Sequence, residues 1–239
     1  MERDRDSRKA DAPPRRAAAT PDELRRAVEA ALPVYGVRAA AAQHELFVHY
    51  LAAVAQANQR VRLVGRAAAE ELAARHLGES LALGQALRLD RQRVVDIGSG
   101  AGFPGLALAL GWPELSTTLV ESNQKKAAFL RSVAETLALG NRVAVRAEFL
   151  ERRAQAAPPW LAAADLVTVR ALERMETVPD WLGRRLRPGT PAAFWVTDAR
   201  AEGWRREYPS WQWGVFHALP ASEHRGILLG RSPDVSRGT

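Results

Sequence analysis

The sequence predicts an α/β fold: a doubly wound, mainly parallel seven-stranded sheet that closes with a C-terminal antiparallel hairpin and carries an N-terminal helical extension. Three observations predict it. Beyond residue 91, short β-branched runs alternate with helical segments, the pattern of a parallel sheet with crossover helices. One such run, 93–97, carries Asp96 straight into Gly98, Gly100 and Gly102, a strand, a glycine-rich turn and a helix start. An apolar content of 47% over 239 residues is enough to bury the core of one such domain with a small appendage.

The elements follow in order. Residues 1–20 mix both charge signs with Ala and Pro and hold almost no large apolar side chain, so they cannot offset the entropy of ordering and are expected to form a disordered tail. A short helix opens at Pro21 with Thr20 as its cap; Leu24, Val28 and Leu32 share one face, and Pro33 and Gly36 are expected to end it. A longer helix over 39–58 places Phe47, Tyr50, Leu51 and Val54 in a stripe that must pack on something larger. Residues 21–90 therefore read as a helical cap on a main domain at 91–232, with a flexible C-terminus at 233–239. Within that domain the strand-like runs are 93–97, 117–121, 143–146, 165–170 and 192–197, and the helical ones 104–111, 123–139, 148–154 and 176–187. Two last runs, 211–219 and 226–230, flank a polar loop containing Pro220 and form the hairpin. There is no internal repeat.

Composition narrows the chemistry. With no cysteine, disulfides, thiolate metal sites and cysteine nucleophiles are excluded, and the five histidines lack close paired ligand spacing, so no metal is expected. No apolar run approaches the roughly 18 residues of a membrane span, and the charged start has no signal-peptide core, which together predict a cytoplasmic protein without membrane contact. A net charge of +7 suits a polyanionic partner such as nucleic acid. The arginines are spread along the chain, so an arginine-rich composition accounts for the charge equally well.

The glycine segment carries the sharpest signal. Its glycines let the backbone turn tightly and approach a ligand where a side chain would clash. Glu121 ends the next strand, 23 residues past Gly98, where its carboxylate can accept hydrogen bonds from a ribose diol. Gly100 to Gly105 also satisfies the GxGxxG spacing of a dinucleotide site, which leaves a nicotinamide-dependent oxidoreductase as one alternative. Asp96 counts against it: a carboxylate there repels a pyrophosphate and suits the cationic ammonium of S-adenosylmethionine.

Asp-Ile-Gly-Ser-Gly-Ala-Gly-Phe-Pro-Gly-Leu at 96–106 resembles the signature of the ribosomal RNA small subunit methyltransferase G family, also called glucose-inhibited division protein B. The Phe-Pro-Gly continuation separates that family from other methyltransferases. Similar segments follow at Arg75-His76-Leu77-Gly78-Glu79-Ser80, Glu121-Ser122 with Lys125-Lys126 and Phe129-Leu130, Arg146-Ala147-Glu148, and Val169-Arg170-Ala171, so the resemblance spans roughly residues 40–230. It implies a Rossmann-like class I methyltransferase that uses S-adenosyl-L-methionine to modify N7 of a guanine in the 530 loop of 16S ribosomal RNA. The expected partner is that RNA or the small ribosomal subunit, and the expected state is a monomer. The resemblance places cofactor contacts on Gly98, Phe103, Ala147, Glu148 and Arg170. With the loop reading, the candidate cofactor set is Asp96, Gly98, Gly100, Gly102, Phe103, Glu121, Ala147, Glu148 and Arg170.

Residue by residue, Ala147 and Glu148 follow the third strand, where a backbone N–H and a side chain can meet an adenine edge. Phe103 offers the cofactor an apolar face, or packs helix on sheet. Arg170 needs an anion at the end of the fourth strand: the cofactor carboxylate, a phosphate, or a structural carboxylate such as Glu173. His76 shapes the site or is structural, and Lys125, Lys126 and Arg131 meet RNA phosphates or simply solvate a helix face. Because N7 of guanine has a free lone pair, no general base is needed and no catalytic residue is assigned. The chain departs from the family pattern where Arg62-Leu63-Val64 replaces Asn-Leu-Thr, where Val196-Thr197-Asp198-Ala199 lacks a lysine-glycine pair, and at Glu79, usually aspartate. These departures touch the substrate side more than the cofactor loop, and they leave a relative that binds S-adenosylmethionine or RNA without methylating as the other alternative.

Overall fold

A computed structural model describes residues 17–65, 68–149 and 156–234. Residues 1–16 of the expected tail, 150–154 of the expected helix over 148–154, and 235–239 of the expected flexible C-terminus lie outside the described residues.

The N-terminal extension consists of α1 (Pro21–Val34), α2 (Ala41–Ala57), α3 (Ala69–Glu71), a π-helical stretch (Leu72–Gly78), α4 (Glu79–Leu81) and α5 (Leu83–Ala86). Then come β1 (Arg93–Ile97), α6 (Gly105–Gly111), β2 (Ser116–Val120), α7 (Gln124–Thr136), β3 (Val143–Arg146), α8 (Pro159–Ala162) and β4 (Leu166–Arg170). The chain finishes with α9 (Val178–Gly183), β5 (Pro191–Thr197), α10 (Asp198–Glu207), β6 (Gln212–Ala218) and β7 (Arg225–Arg231).

The seven strands run β3-β2-β1-β4-β5-β7-β6. β1 to β5 are mutually parallel, β7 pairs antiparallel with β5, and β6 pairs antiparallel with β7. This is the expected doubly wound sheet with its closing hairpin. Strand order reverses between β1 and β4, and in open α/β sheets the crevice for a ligand lies at the carboxyl ends of the strands at that switch.

Both faces of the sheet are covered. On one, Leu24, Val28, Phe47, Leu51, Leu72 and Leu77 of the extension share a buried cluster with Leu106, Leu110 and Leu130 of α6 and α7. The apolar stripe of α2 thus packs on the main domain. On the other, Phe194 of β5 stands edge-on to Trp204 and Trp211 at 5.2 and 5.7 Å, beside Val167, Val169, Trp181 and Leu182. α1 begins with a capping box in which Thr20 and Glu23 satisfy each other's backbone N–H groups.

Four local expectations need correction. Pro33 sits in the last turn of α1 instead of ending the helix before it, and Tyr35 is the C-cap. Glu148 and Phe149 are not helical. The helix expected over 176–187 is a 3-10 turn at Met175–Thr177 followed by the short α9, which ends at Gly183. Helix α10 has no counterpart in the periodicity, because Ala201 and Trp204 are its buried residues and the rest is polar. Its start is set locally by Thr197, whose side chain accepts from the Arg200 N–H.

Candidate functional site

The turn between β1 and α6 lies at the switch point. Gly98, Gly100 and Gly102 all have positive φ, at +73°, +57° and +103°. The space their missing side chains leave is used differently. A Cβ on Gly98 would come within 2.7 Å of Leu172 Cδ1, and one on Gly102 within 2.8 Å of both Leu106 Cβ and Tyr50 Oη. A Cβ on Gly105 would approach Asp96 Cβ and Leu119 Cδ2 to 2.5 Å. Protein atoms therefore enforce glycine at 102 and 105, and the positive φ favours it at 98. At Gly100 nothing comes nearer than 3.8 Å, so this is the loop glycine whose side-chain direction stays open.

Two carboxylates brace the turn. Asp96 is fully buried; Thr168 Oγ1 donates to its Oδ1 at 2.7 Å and the Gly105 N–H to its Oδ2 at 3.2 Å. Burial pushes its pKa up to about 6, against the hydrogen bonds from Thr168, Ser99 and Gly105. The structure thus engages the carboxylate beneath the loop, where the sequence reading had it facing an ammonium. Glu121, just past β2, is 6% exposed and accepts the Gly100 N–H at 2.9 Å and the Asn123 N–H at 2.8 Å. Gly100 and Glu121 are therefore brought together.

The helical extension clamps the loop from behind. Tyr50 of α2 donates its hydroxyl to the Ala101 carbonyl at 2.9 Å. Phe103 lies with its ring 5.2 Å from that of Tyr50 and 5.1 Å from that of His76, on which it stacks at 26°. Phe103 is 7% exposed, so it packs loop against cap. Burial, reinforced by Arg170, Arg75 and Arg225, lowers His76 to about 4 and keeps the imidazole neutral.

Across the switch, the carboxyl ends of β4 and β5 and the amino end of β7 meet at Glu79. Arg170 Nη2 donates to Glu79 Oε2 at 2.9 Å, Arg225 Nη1 donates to the same oxygen at 3.1 Å, and Arg225 Nη2 lies 2.7 Å from Oε1. Trp195 Nε1 donates to the Glu79 carbonyl at 2.8 Å. Arg170 spends its remaining Nη hydrogens on Ser80 Oγ and on the Arg75 and His76 carbonyls of the π-helical stretch. Such a stretch shifts the helical hydrogen bonding and leaves carbonyls for an outside donor. Burial raises the Glu79 carboxyl while the two arginines oppose the shift. The structural carboxylate open to Arg170 in the sequence reading is therefore Glu79.

Ala147 and Glu148 follow β3 outside regular secondary structure; Glu148 pairs with Arg146 at 3.1 Å, and the Arg146 guanidinium lies over Trp160 at 5.5 Å. Sequence reasoning missed Tyr50, Thr168, Trp195 and Arg225 as parts of this edge. Tyr50 was visible only as one of a helix's apolar stripe, and the others acquire their meaning from partners far along the chain. Among the described residues no cluster of three or more metal-ligating side chains occurs, and no helix is long and apolar enough to cross a membrane.

The profile of the family described as rRNA small subunit methyltransferase G matches residues 43–213. The ribosomal RNA small subunit methyltransferase G of Rhodospirillum centenum is 37% identical over 191 residues, covering 79% of this chain and 83% of that protein. The chain belongs to this family. The family member of Roseiflexus castenholzii is 38% identical over 149 residues, 62% of each chain, so the chain spans somewhat under two thirds of that relative. Among solved structures, the [4+2]-cyclase SpnF superposes with a TM-score of 0.52 at 14% identity, over 64% of this chain and 79% of that one, a likeness of fold alone.

The cofactor of this methyltransferase family is S-adenosyl-L-methionine, and the turn fits it on two counts. Gly100 leaves room for a ligand to approach the backbone. Each oxygen of Glu121 holds one backbone N–H and keeps acceptor capacity for a diol.

Proposed function

We propose that the protein transfers a methyl group from S-adenosyl-L-methionine to N7 of a guanine in the 530 loop of 16S ribosomal RNA, in the cytoplasm and as a monomer. Family membership supports the RNA methyltransferase class. The observation that carries the finer reading is the commitment of the buried titratable groups at this edge. Asp96 braces the loop, Glu79 is held between two guanidinium groups, and His76 stays neutral until about pH 4. None of the three is placed as a general base near neutral pH, which suits an acceptor that needs none.

In this reading Gly98, Gly100 and Gly102 shape the turn, with Gly100 as the point of closest approach and Glu121 receiving the ribose hydroxyls. Ala147 and Glu148 border the adenine. Asp96, Phe103 and Arg170 act by holding the turn and the end of β4 in place. The bound cofactor supplies an electrophilic methyl group and guanine N7 brings its own lone pair. The residues of the chain then need only orient the two and exclude water.

The test is tritium transfer from labelled S-adenosylmethionine to small subunits lacking the modification, followed by mass spectrometry of the 16S RNA. One 7-methylguanosine in the 530 loop is expected. Label in another base, or cofactor binding without any transfer, would overturn the reading.

A further inference from the structure

On the far flank of β4 from the glycine turn, a pocket of about 300 Å³ opens among Arg75, Glu79, Arg170, Trp195, Leu219 and Arg225. The turn at Ala171, in the left-handed region at φ +50°, and Leu172, which fills the space beside Gly98, separate it from the cofactor loop. We propose that this pocket is an anion subsite that takes a phosphate of the acceptor strand. The proposal rests on the reading that the acceptor is RNA.

Charge comes first. Glu79 is the carboxylate among the pocket's walls, and it faces three guanidinium groups. It already serves Arg170 at 2.9 Å and Arg225 at 2.7 Å. Outside the pocket Glu71 takes Arg75 at 3.0 Å, on a side chain that is half exposed. One positive charge remains without a counter-charge among these groups. The exposed Asp198 does not line the pocket and lies 3.3 Å from His224. A surplus cation in a partly dry pocket is costly unless an anion or water meets it.

Donor geometry says which arginine faces the ligand. The four Nη hydrogens of Arg170 are matched by His76, Ser80, Arg75 and Glu79, and its side chain is 12% exposed. Arg170 is a positioning residue. Arg225 is 32% exposed, and each of its Nη atoms carries two hydrogens, of which one carboxylate can take at most one. Glu79 occupies the end-on edge of the guanidinium and Nε donates to Ser222 Oγ at 3.2 Å, so the remaining Nη hydrogens point apart and each can meet one phosphate oxygen. Trp195, 8% exposed, holds its indole flat wall in place through its bond to the Glu79 carbonyl, and Leu219 adds apolar surface for the attached sugar or base.

The test compares 5′-GMP, guanosine and inorganic phosphate by calorimetry on the protein saturated with S-adenosylhomocysteine. The expectation is that 5′-GMP binds at least about tenfold more tightly than guanosine. Arg225→Gln should abolish that difference and Arg75→Gln should reduce it, with S-adenosylhomocysteine affinity within twofold of wild type in both. Arg75 is a surface residue, so its variant keeps the test meaningful if Arg225→Gln folds poorly. Inorganic phosphate binding that competes with 5′-GMP assigns the phosphate as the recognised group. Equal binding of 5′-GMP and guanosine, no binding of either, or 5′-GMP binding that survives both substitutions would overturn the proposal. These outcomes are read without methyl transfer, so a failure to methylate small subunits tells against the methyltransferase reading separately.

Discussion

The two halves of the sheet's carboxyl edge are built by opposite means. At the β1–β2 half, two backbone braces span short stretches of chain, Gly105 to Asp96 over 9 residues and Gly100 to Glu121 over 21, with Thr168 and Tyr50 joining from 72 and 51 residues away. At the β4–β5–β7 half, the braces converge on Glu79 in the helical extension, 91 residues from Arg170, 116 from Trp195 and 146 from Arg225. The first half holds its shape through backbone amides and absent side chains, the second through charged groups gathered from four elements. A gathered cluster exists only once the whole domain has folded, so it reports on tertiary integrity more directly than the turn does.

The largest effect should come from removing the node itself. Glu79→Ala leaves the guanidinium groups of Arg170 and Arg225 together at the end of the sheet without their carboxylate. Breaking one side of a buried ion pair typically costs 3–5 kcal/mol. Because Arg225 is about one-third exposed, we expect about 3 kcal/mol in urea unfolding. S-adenosylhomocysteine affinity should fall by less than about threefold, since the loop half keeps its own braces. A collapse of cofactor affinity with unchanged stability would show that the two halves are one unit.

A second measurement separates the clamp from the turn by the sign of their pH dependence. His76, with its pKa lowered from 6.5 to about 4, stays neutral in the fold while the unfolded chain takes up a proton. Its contribution is present above pH 6.5 and is lost as pH falls toward 4, up to about 3 kcal/mol. Asp96, raised from 3.8 to about 6, does the reverse: the fold holds its proton longer, so stability falls as pH rises from 3.8 to 6. The two nearly offset each other in the wild type. His76→Phe keeps a ring against Phe103 and removes one term. The variant should gain stability relative to wild type steadily from pH 6.5 down to 4, by thermal melts at each pH. A difference that does not change with pH would mean that His76 titrates normally and is not held in the clamp.

The same contrast explains what was legible in the sequence. The strand–glycine–helix turn, Glu121 and the alternation of strands and helices are written in contiguous residues, and the seven-stranded sheet with its hairpin followed from them. The role of each glycine was not legible. Gly102 reads as room for a ligand, yet its space is occupied by Tyr50 from a helix about fifty residues earlier. Asp96 reads as a partner for a cation, yet Thr168 from β4 and Gly105 claim its oxygens. Arg170 showed only that it needed an anion, and Glu79 was visible only as a departure from aspartate. In each case the missing information is a tertiary partner, which no local period or motif encodes. Helix α10 escaped for a different reason: it buries two side chains, too few for a periodic signal.

The smallest and most discriminating change touches a hydrogen bond by which the extension grips the loop half. Tyr50→Phe keeps the ring that packs near Phe103 and removes only the hydroxyl that holds the Ala101 carbonyl. Losing one buried hydrogen bond of this kind should cost about 1 kcal/mol of stability. If the turn were self-sufficient, cofactor affinity would not change. If the hydroxyl fixes the turn between Gly100 and Gly102, the freed carbonyl lets that segment sample other conformations, and S-adenosylhomocysteine should bind about fivefold more weakly. Calorimetry on the variant decides between them. An affinity within experimental error of wild type would confine the extension's influence to the Glu79 half, and a fivefold loss at so small a cost in stability would make Tyr50 a positioning residue for the cofactor turn.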